Sequence, residues 1–371
     1  MKKLYFLFLF LGAIFCGFST LKAVDVENVI AHCNRGNMTA CSILGDLYYV
    51  ADGVPQDYGK AARFWRLACD LKEMNACYNL GVLYQEGQGV SRDFDRSLEL
   101  YTMACNAEHA GACLNLAFLY HQGKGVARDE AKARGFYTTA CDGNKAEACY
   151  SLGNLMFYGR GGAVDYPKAH DLYMKACELD HDDACDNVGV MYAKGEGIPK
   201  DYDKAREFFT RICADNKAGA CYNLGILYDY GWGVEQSYPR AIELYTKSCD
   251  MHHLKACYNL GIMYNKGYGV DVDFYKALGL YTKSCNLKHA NACYNLGAMY
   301  YQGEGVRINT MIGDEYLSRA CALGDKKSCS KDGEVVSKKV EQEVIHTESN
   351  LNNNEITETI IDTESIEVRN K

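Results

Sequence analysis

The sequence predicts an all-α solenoid built from a 36-residue helix-turn-helix repeat. Three observations predict it. A cysteine spacing recurs without an insertion, small and apolar columns keep its register, and paired glycines punctuate the repeats.

After the first 23 residues, 18 of the 19 cysteines remain. They fall as nine C-x7-C pairs: Cys33 and Cys41, Cys69 and Cys77, Cys105 and Cys113, Cys141 and Cys149, Cys177 and Cys185, Cys213 and Cys221, Cys249 and Cys257, Cys285 and Cys293, Cys321 and Cys329. Each pair begins 36 residues after the last. A fixed period of this size marks stacked supersecondary units, each too small to bury its own apolar face.

The other columns define two helices. Ala precedes the second cysteine in all eight complete repeats, from Ala40 to Ala292, and Leu or Val follows three residues after it. Gly comes next in seven of eight, and Tyr stands seven after the cysteine in seven of eight. Ala, Leu and Tyr spaced by fours lie on one face of a helix, here helix A. It should stop at G-x-G pairs such as Gly87 with Gly89 and Gly231 with Gly233, where glycine permits a left-handed cap. Helix B then carries Lys-Ala or Arg-Ala (Lys60-Ala61, Arg240-Ala241) and an aromatic such as Trp65, Tyr101 or Tyr245. It should end at the first cysteine of the next pair. Small residues at fixed points let neighbouring helices approach closely.

Two cysteines eight apart in one straight helix would sit about 12 Å apart along the axis. A disulfide needs Cα atoms within about 7 Å. Bonding within a pair therefore requires a turn between its members, and turn-forming residues such as Asp142-Gly143-Asn144 lie there. Many connectivities are formally open. Closing the short local loop loses least entropy and favours Cys33-Cys41 through Cys321-Cys329. Metal binding is the competing use of thiolates, but zinc sites draw on C-x2–4-C spacing. No C-x-x-C occurs, and the nine histidines read as scattered, without a repeat column. Neither a metal nor another cofactor is implied.

The ends differ from the array. Lys2 and Lys3, an apolar run from Leu4 to Phe18 and a small residue at Ala23 read as a secretory signal peptide over residues 1–23. The run is shorter than the roughly 20 residues that span a bilayer, so no stable membrane anchor is expected. Export suits an even number of remaining cysteines. Residues 24–329 form the repeat body, whose opening stretch, 24–33, should supply only a final helix turn. Residues 330–371 carry ten Asp/Glu against five Lys/Arg and no aromatic residue, an acidic and mostly disordered tail. A short helix over Val335–Ile345 could cap the last repeat. Formal net charge is -8, with both signs interleaved, so nucleic acid is not an expected partner. A monomer is the expected state.

The motif Ala220-Cys-Tyr-Asn-Leu-Gly-Ile-Leu-Tyr228 through Gly231-x-Gly233-Val234 to Lys247-Ser-Cys249 resembles the Sel1-like repeat. With its C-x7-C addition it looks like the secreted Helicobacter cysteine-rich protein family. The resemblance covers residues 30–329. It implies a right-handed superhelix of αα hairpins, related to tetratricopeptide arrays, with one disulfide per repeat. Members are described as β-lactamases or penicillin-binding proteins, and also as secreted interaction proteins. The residues give the first description little support. A serine β-lactamase needs S-D-N and K-T-G elements, and neither triplet occurs. The S-x-x-K at Ser328–Lys331 encloses a structural cysteine. His252-His253 belongs to no H-E-x-x-H, and no repeat departs from its siblings with convergent polar residues. No catalytic residue is assigned.

A binding role rests on one column. Two residues after the second cysteine stand Asn79, Asn115, Asn187, Asn223, Asn259 and Asn295, with Ile43 and Ser151 in the other repeats. Asn is a mediocre helix residue, so its recurrence inside helix A needs a reason. In related solenoids helix A lines the concave groove, where an amide can pair with an extended peptide backbone. Tyr78, Tyr150, Tyr222, Tyr258 and Tyr294 stand one position earlier. The alternative is that Asn bonds within its own helix or across to a neighbouring repeat. The sequence leaves both open. A protein or peptide is the expected ligand, with a cell-wall peptide or a β-lactam as the narrower possibilities.

Overall fold

The computed structural model describes residues 25–329, and the expected signal peptide (1–23) and acidic tail (330–371) lie outside them. The described residues form 17 helices. α1 (Val26–Asn34) precedes eight αα hairpins. Helix A of these is α2 (Met38–Val50), α4 (Met74–Glu86), α6 (Ala110–Gln122), α8 (Ala146–Phe157), α10 (Asp182–Lys194), α12 (Ala218–Tyr230), α14 (Leu254–Lys266) and α16 (Ala290–Gln302). Helix B is α3 (Tyr58–Asp70), α5 (Phe94–Asn106), α7 (Glu130–Asp142), α9 (Tyr166–Glu178), α11 (Tyr202–Ala214), α13 (Tyr238–Asp250), α15 (Phe274–Asn286) and α17 (Thr310–Ala322). The chain divides into two compact units. One runs to Leu119 and includes Gly123–Ala127; the other holds Tyr120–Gln122 and everything from Arg128. Within each, consecutive helices pack antiparallel, helix A more deeply buried than helix B.

Local chemistry sets the helix limits. Asp57, Asp93, Asp129, Asp165, Asp201 and Asp273 precede helix B, and each carboxylate accepts the backbone N–H three residues on, at 2.9–3.0 Å. Helix A closes on a left-handed residue, Gly87 (φ 72°) in α4 and Gly231 (φ 71°) in α12. The second glycine of the pair meets a different demand. A Cβ on Gly89 would lie 2.3 Å from the backbone of Tyr58, so only glycine lets this loop lie on the start of α3. α1 is nine residues long, more than the single turn expected, because Asp25 caps it by accepting the N–H of Asn28.

The core is a row of aromatic rings seated on glycines. Tyr101, Tyr173, Phe209, Tyr245 and Tyr281 of helix B are at most 2% exposed. A Cβ on the partner glycines Gly81, Gly153, Gly189, Gly225 and Gly261 would stand 2.6–2.7 Å from these rings. The glycine column is therefore the floor of an aromatic slot. Substituting Ala would force the ring off its rotamer. One loop is built differently. Gly162 replaces the Val that siblings carry, and the Arg134 guanidinium fills the space, donating to the carbonyls of Leu155 (2.7 Å), Arg160 (2.7 Å) and Ala163 (3.1 Å).

Candidate functional site

Eight of the nine cysteine pairs sit at the turns into a helix A, and Cys321 with Cys329 spans the turn that follows α17. A left-handed residue such as Lys72, Glu108, Asn144 or Asp180 reverses the chain between the two cysteines. Cys41 thereby meets Cys33, Cys77 meets Cys69, Cys113 meets Cys105, Cys149 meets Cys141, and Cys185 meets Cys177. Further along, Cys221 meets Cys213, Cys257 meets Cys249, Cys293 meets Cys285, and Cys329 meets Cys321. Across the nine pairs the Cα atoms come within 4.6–5.1 Å and the sulfurs within bonding distance, 1.98–2.15 Å. The first eight links each tie the last turn of one helix to the first turn of the next helix A, and Cys321–Cys329 closes the turn after α17. The expectation that helix B ends on its cysteine is corrected by one residue. The helix runs on to Asp70 past Cys69, to Asn106 past Cys105, to Asp142 past Cys141 and to Glu178 past Cys177. The left-handed turn therefore starts later, and Cys77, Cys113, Cys149 and Cys185 lie in the first turn of helix A, three residues into it. Among the described residues no group of three His, Cys, Asp or Glu is arranged to hold a metal ion.

The asparagine column lies half-buried, except Asn223, which is buried. Asn259 Nδ2 donates to the Tyr245 hydroxyl at 3.4 Å. Asn115 bonds Tyr101 likewise, as do Asn187 with Tyr173, Asn295 with Tyr281, and Ser151 with Tyr137. Burial pushes all these phenols above their ordinary pKa, and the amide bond opposes it in part. Phe209 breaks the series, having no hydroxyl, and Asn223 turns to Asp186 instead, at 3.3 Å. Five of the polar side chains in this column therefore tie helix A to the preceding helix B. Asn79 is half-buried at the same register.

Beside this column run the tyrosines one position earlier. Tyr78, Tyr150, Tyr222 and Tyr258 each lie against a histidine: His109 at 4.7 Å, His181 at 4.3 Å, His253 at 4.6 Å and His289 at 4.6 Å between ring centroids. These four histidines share one position, the N-cap of helix A. The expectation that histidines hold no column is thus corrected. The column was hidden because Asn37, Glu73, Lys145 and Lys217 fill the same position elsewhere. Burial pushes Tyr150 and Tyr258 up to about 12, so both are phenols at neutral pH.

The residues weighed for hydrolysis are placed in structural roles. Ser328 is buried, and both its N–H and its hydroxyl donate to the Asp325 carboxylate. Lys331 lies outside the described residues. His253 accepts the Ala256 N–H as a helix cap. On the loop edge of the second unit, an open cleft of about 870 Å³ is lined by residues including Tyr264, Val270, Val272, Tyr275, Lys276 and Arg307. Tyr275 in its lining is 77% exposed.

The Sel1 repeat matches the chain eight times, at residues 39–73, 75–109, 110–145, 146–181, 182–216, 218–253, 254–289 and 290–325. The chain belongs to the Sel1 repeat family. Sel1 repeats generally mediate protein interactions, so this chain is an interaction-type repeat scaffold. A protective antigen of uropathogenic Escherichia coli with an SLR fold is 24% identical, with a TM-score of 0.69 over 80% of this chain and 72% of that one. A Sel1 repeat protein of Oxalobacter formigenes is 23% identical, with a TM-score of 0.68 over 81% and 87%. Helicobacter pylori cysteine rich protein B is 28% identical over 34% of this chain and 92% of that one, with a TM-score of 0.29. No curated protein matches the chain. Nine disulfides in one Sel1 repeat chain suit an oxidising, extracytoplasmic compartment. Among the described residues no helix is long and apolar enough to cross a membrane.

Proposed function

We propose that this Sel1 repeat chain is exported and holds an extended peptide along the groove lined by the helices A of its second unit. The carrying observation is the row of half-buried amides in that unit, Asn187, Asn259 and Asn295. An amide has two donors and an acceptor oxygen. The bond to a helix-B tyrosine uses one donor, which fixes the side chain's direction and leaves capacity for a ligand's backbone. A ligand site with its rotamers already fixed loses less entropy on binding. Among the helices that carry these amides, α16 holds no charged residue, α14 holds Lys255 and Lys266, and α10 holds Asp182, Asp183, Asp186 and Lys194.

The test must separate binding from stacking. One variant replaces Asn187 and Asn259 by Ala; the other replaces Tyr173 and Tyr245 by Phe. Both remove the internal bond, but only the first removes the amides. Probed with synthetic peptide arrays and muropeptides, the Asn variant should lose retention while the Tyr variant keeps it. Equal behaviour of the two would refute the reading. Export predicts that the mature chain, recovered outside the cytoplasm, begins after Ala23. The hydrolase alternative needs Ser328 freed from Asp325, and predicts nitrocefin turnover that Ser328→Ala abolishes.

A further inference from the structure

The Arg211 guanidinium of α11 rests on the disulfide that joins α9 to α10. Its Nη2 touches Cys177 Sγ and lies 2.9 Å from Cys185 Sγ. The Phe208 ring lies against the same guanidinium, with its centroid 5.5 Å from Cζ. In three siblings a cation at this register meets oxygen instead. Lys247 Nζ donates to the Cys213 carbonyl at 2.6 Å, Arg319 Nη2 to the Cys285 carbonyl at 3.0 Å, and Lys283 Nζ to the Asp250 carboxylate at 3.4 Å. The sulfurs differ to match. In six sibling links the second sulfur faces the carbonyl oxygen of the first cysteine at 3.5–3.7 Å. That oxygen opposes negative charge on sulfur, whereas a guanidinium favours it.

Acidic side chains oppose Arg211 at longer range. Glu178, Asp180, Asp182, Asp183 and Asp186 flank the two cysteines in sequence. Glu178, Asp180 and Asp183 are exposed, Asp182 pairs with Lys217 at 3.2 Å, and Asp186 accepts from Asn223 at 3.3 Å. Water screens the exposed charges. The sulfurs themselves are shielded, Cys177 and Cys185 being 5% and 2% exposed. A cation in contact with them therefore outweighs the screened acids.

We propose that Cys177–Cys185 is the thiol-exchange site of the array, the internal link that a dithiol reductant opens most readily at equilibrium. One reductant thiol loses its proton and attacks one cysteine sulfur. The S–S bond breaks, and the other cysteine leaves as a thiolate held by Arg211. The reductant's second thiol loses its proton and attacks the mixed disulfide, closing the reductant's own disulfide. The cysteine so released takes one proton, and the other stays in solvent. Two electrons have passed from the dithiol to the link. A stabilised thiolate lowers the energy of the reduced pair and eases its departure. What opens is the joint between α9 and α10, while the neighbouring links stay closed.

Because both sulfurs are buried, exchange proceeds through local opening, so the test reads equilibrium and not rate. The oxidised chain is held at pH 7 in graded mixtures of reduced and oxidised dithiothreitol, and free thiols are alkylated and mapped. Half-reduction of Cys177–Cys185 should need a ratio of reduced to oxidised dithiol at least tenfold smaller than Cys213–Cys221 or Cys249–Cys257, about 30 mV. Arg211→Met should bring it within about threefold of those two links. Loosened packing alone would make the variant's link easier to reduce, so the sign of the change separates the two causes. A link no easier to reduce than its siblings in the unaltered chain overturns the proposal, as does one that Arg211→Met leaves unchanged or eases. Should Arg211→Met fail to fold, the comparison within the unaltered chain decides by itself.

Discussion

Asn259 donates an amide proton to the hydroxyl of Tyr245, and that hydroxyl donates in turn to the Asp229 carboxylate 3.0 Å away. One relay thus crosses three consecutive helices, α14, α13 and α12. Breaking the first bond should cost about 1 kcal/mol, typical of a neutral hydrogen bond. Tyr245→Phe should cost more, because it also leaves a buried carboxylate without its donor. A double-mutant cycle in urea should give a coupling of about 1 kcal/mol. Strict additivity would mean that the column does not stitch the repeats.

Asp229 carries a pH prediction of its own. Burial pushes its carboxyl up to about 6 from 3.8, and the Tyr245 hydroxyl opposes this only in part. The folded state therefore binds the proton more tightly than the unfolded one. Stability is greatest below about 4 and falls as pH rises through 6. Asp229→Asn keeps an acceptor for Tyr245 and removes the charge. It should raise the melting temperature at pH 7.5, by the equivalent of about 3 kcal/mol, and leave it unchanged at pH 4.

The period, the helix pair and the local cysteine pairing were legible because identical residues recur at identical spacing. Cys, Ala, Leu, Gly and Tyr each serve a role that only one side-chain shape fills, as the slot between Gly225 and Tyr245 illustrates. The cap column was not legible, since a cap requires an acceptor and not a shape. Asn37, Glu73 and His289 meet that need by different chemistry. Nor could the sequence choose between the two uses of the asparagines. Their partner stands fourteen residues earlier on another helix, at a position also filled by Phe209 and Trp65. The switch of Asn223 to Asp186 at the one phenylalanine between tyrosines shows what the column does within the fold.

Arg134 and Gly162 form a local packing exchange. Siblings at the same register pair Leu98 with Val126 and Leu278 with Val306, while Arg206 stands with Val234. Arg134→Ala should remove a donor from the carbonyls of Leu155, Arg160 and Ala163 and leave a void over Gly162, costing about 2–3 kcal/mol. Gly162→Val alone should clash, since its Cβ would stand close to the Arg134 guanidinium. The pair Arg134→Leu with Gly162→Val should recover most of the loss in a thermal melt. If the double variant is no more stable than Arg134→Ala, the two residues do not substitute for a sibling pair.

The disulfides should reduce in an order set by access. Reduction needs a thiolate to reach a sulfur along the S–S axis. Cys77, Cys113, Cys149, Cys221, Cys257, Cys285 and Cys293 are fully buried, and Cys185 is 2% exposed. Cys321 and Cys329 are only half-buried and close the last described repeat. Limited dithiothreitol followed by alkylation and peptide mapping should therefore label Cys321 and Cys329 first. The internal pairs should follow only after local unfolding. Each link closes a nine-residue loop and contributes about 2.5 kcal/mol on the chain-entropy account. Repeats touch only their neighbours, so removing Cys213 and Cys221 from mid-array should uncouple the melt into two transitions, whereas removing Cys321 and Cys329 should only fray one end. Non-reducing maps that joined cysteines of different pairs would contradict the local linkage on which this order depends.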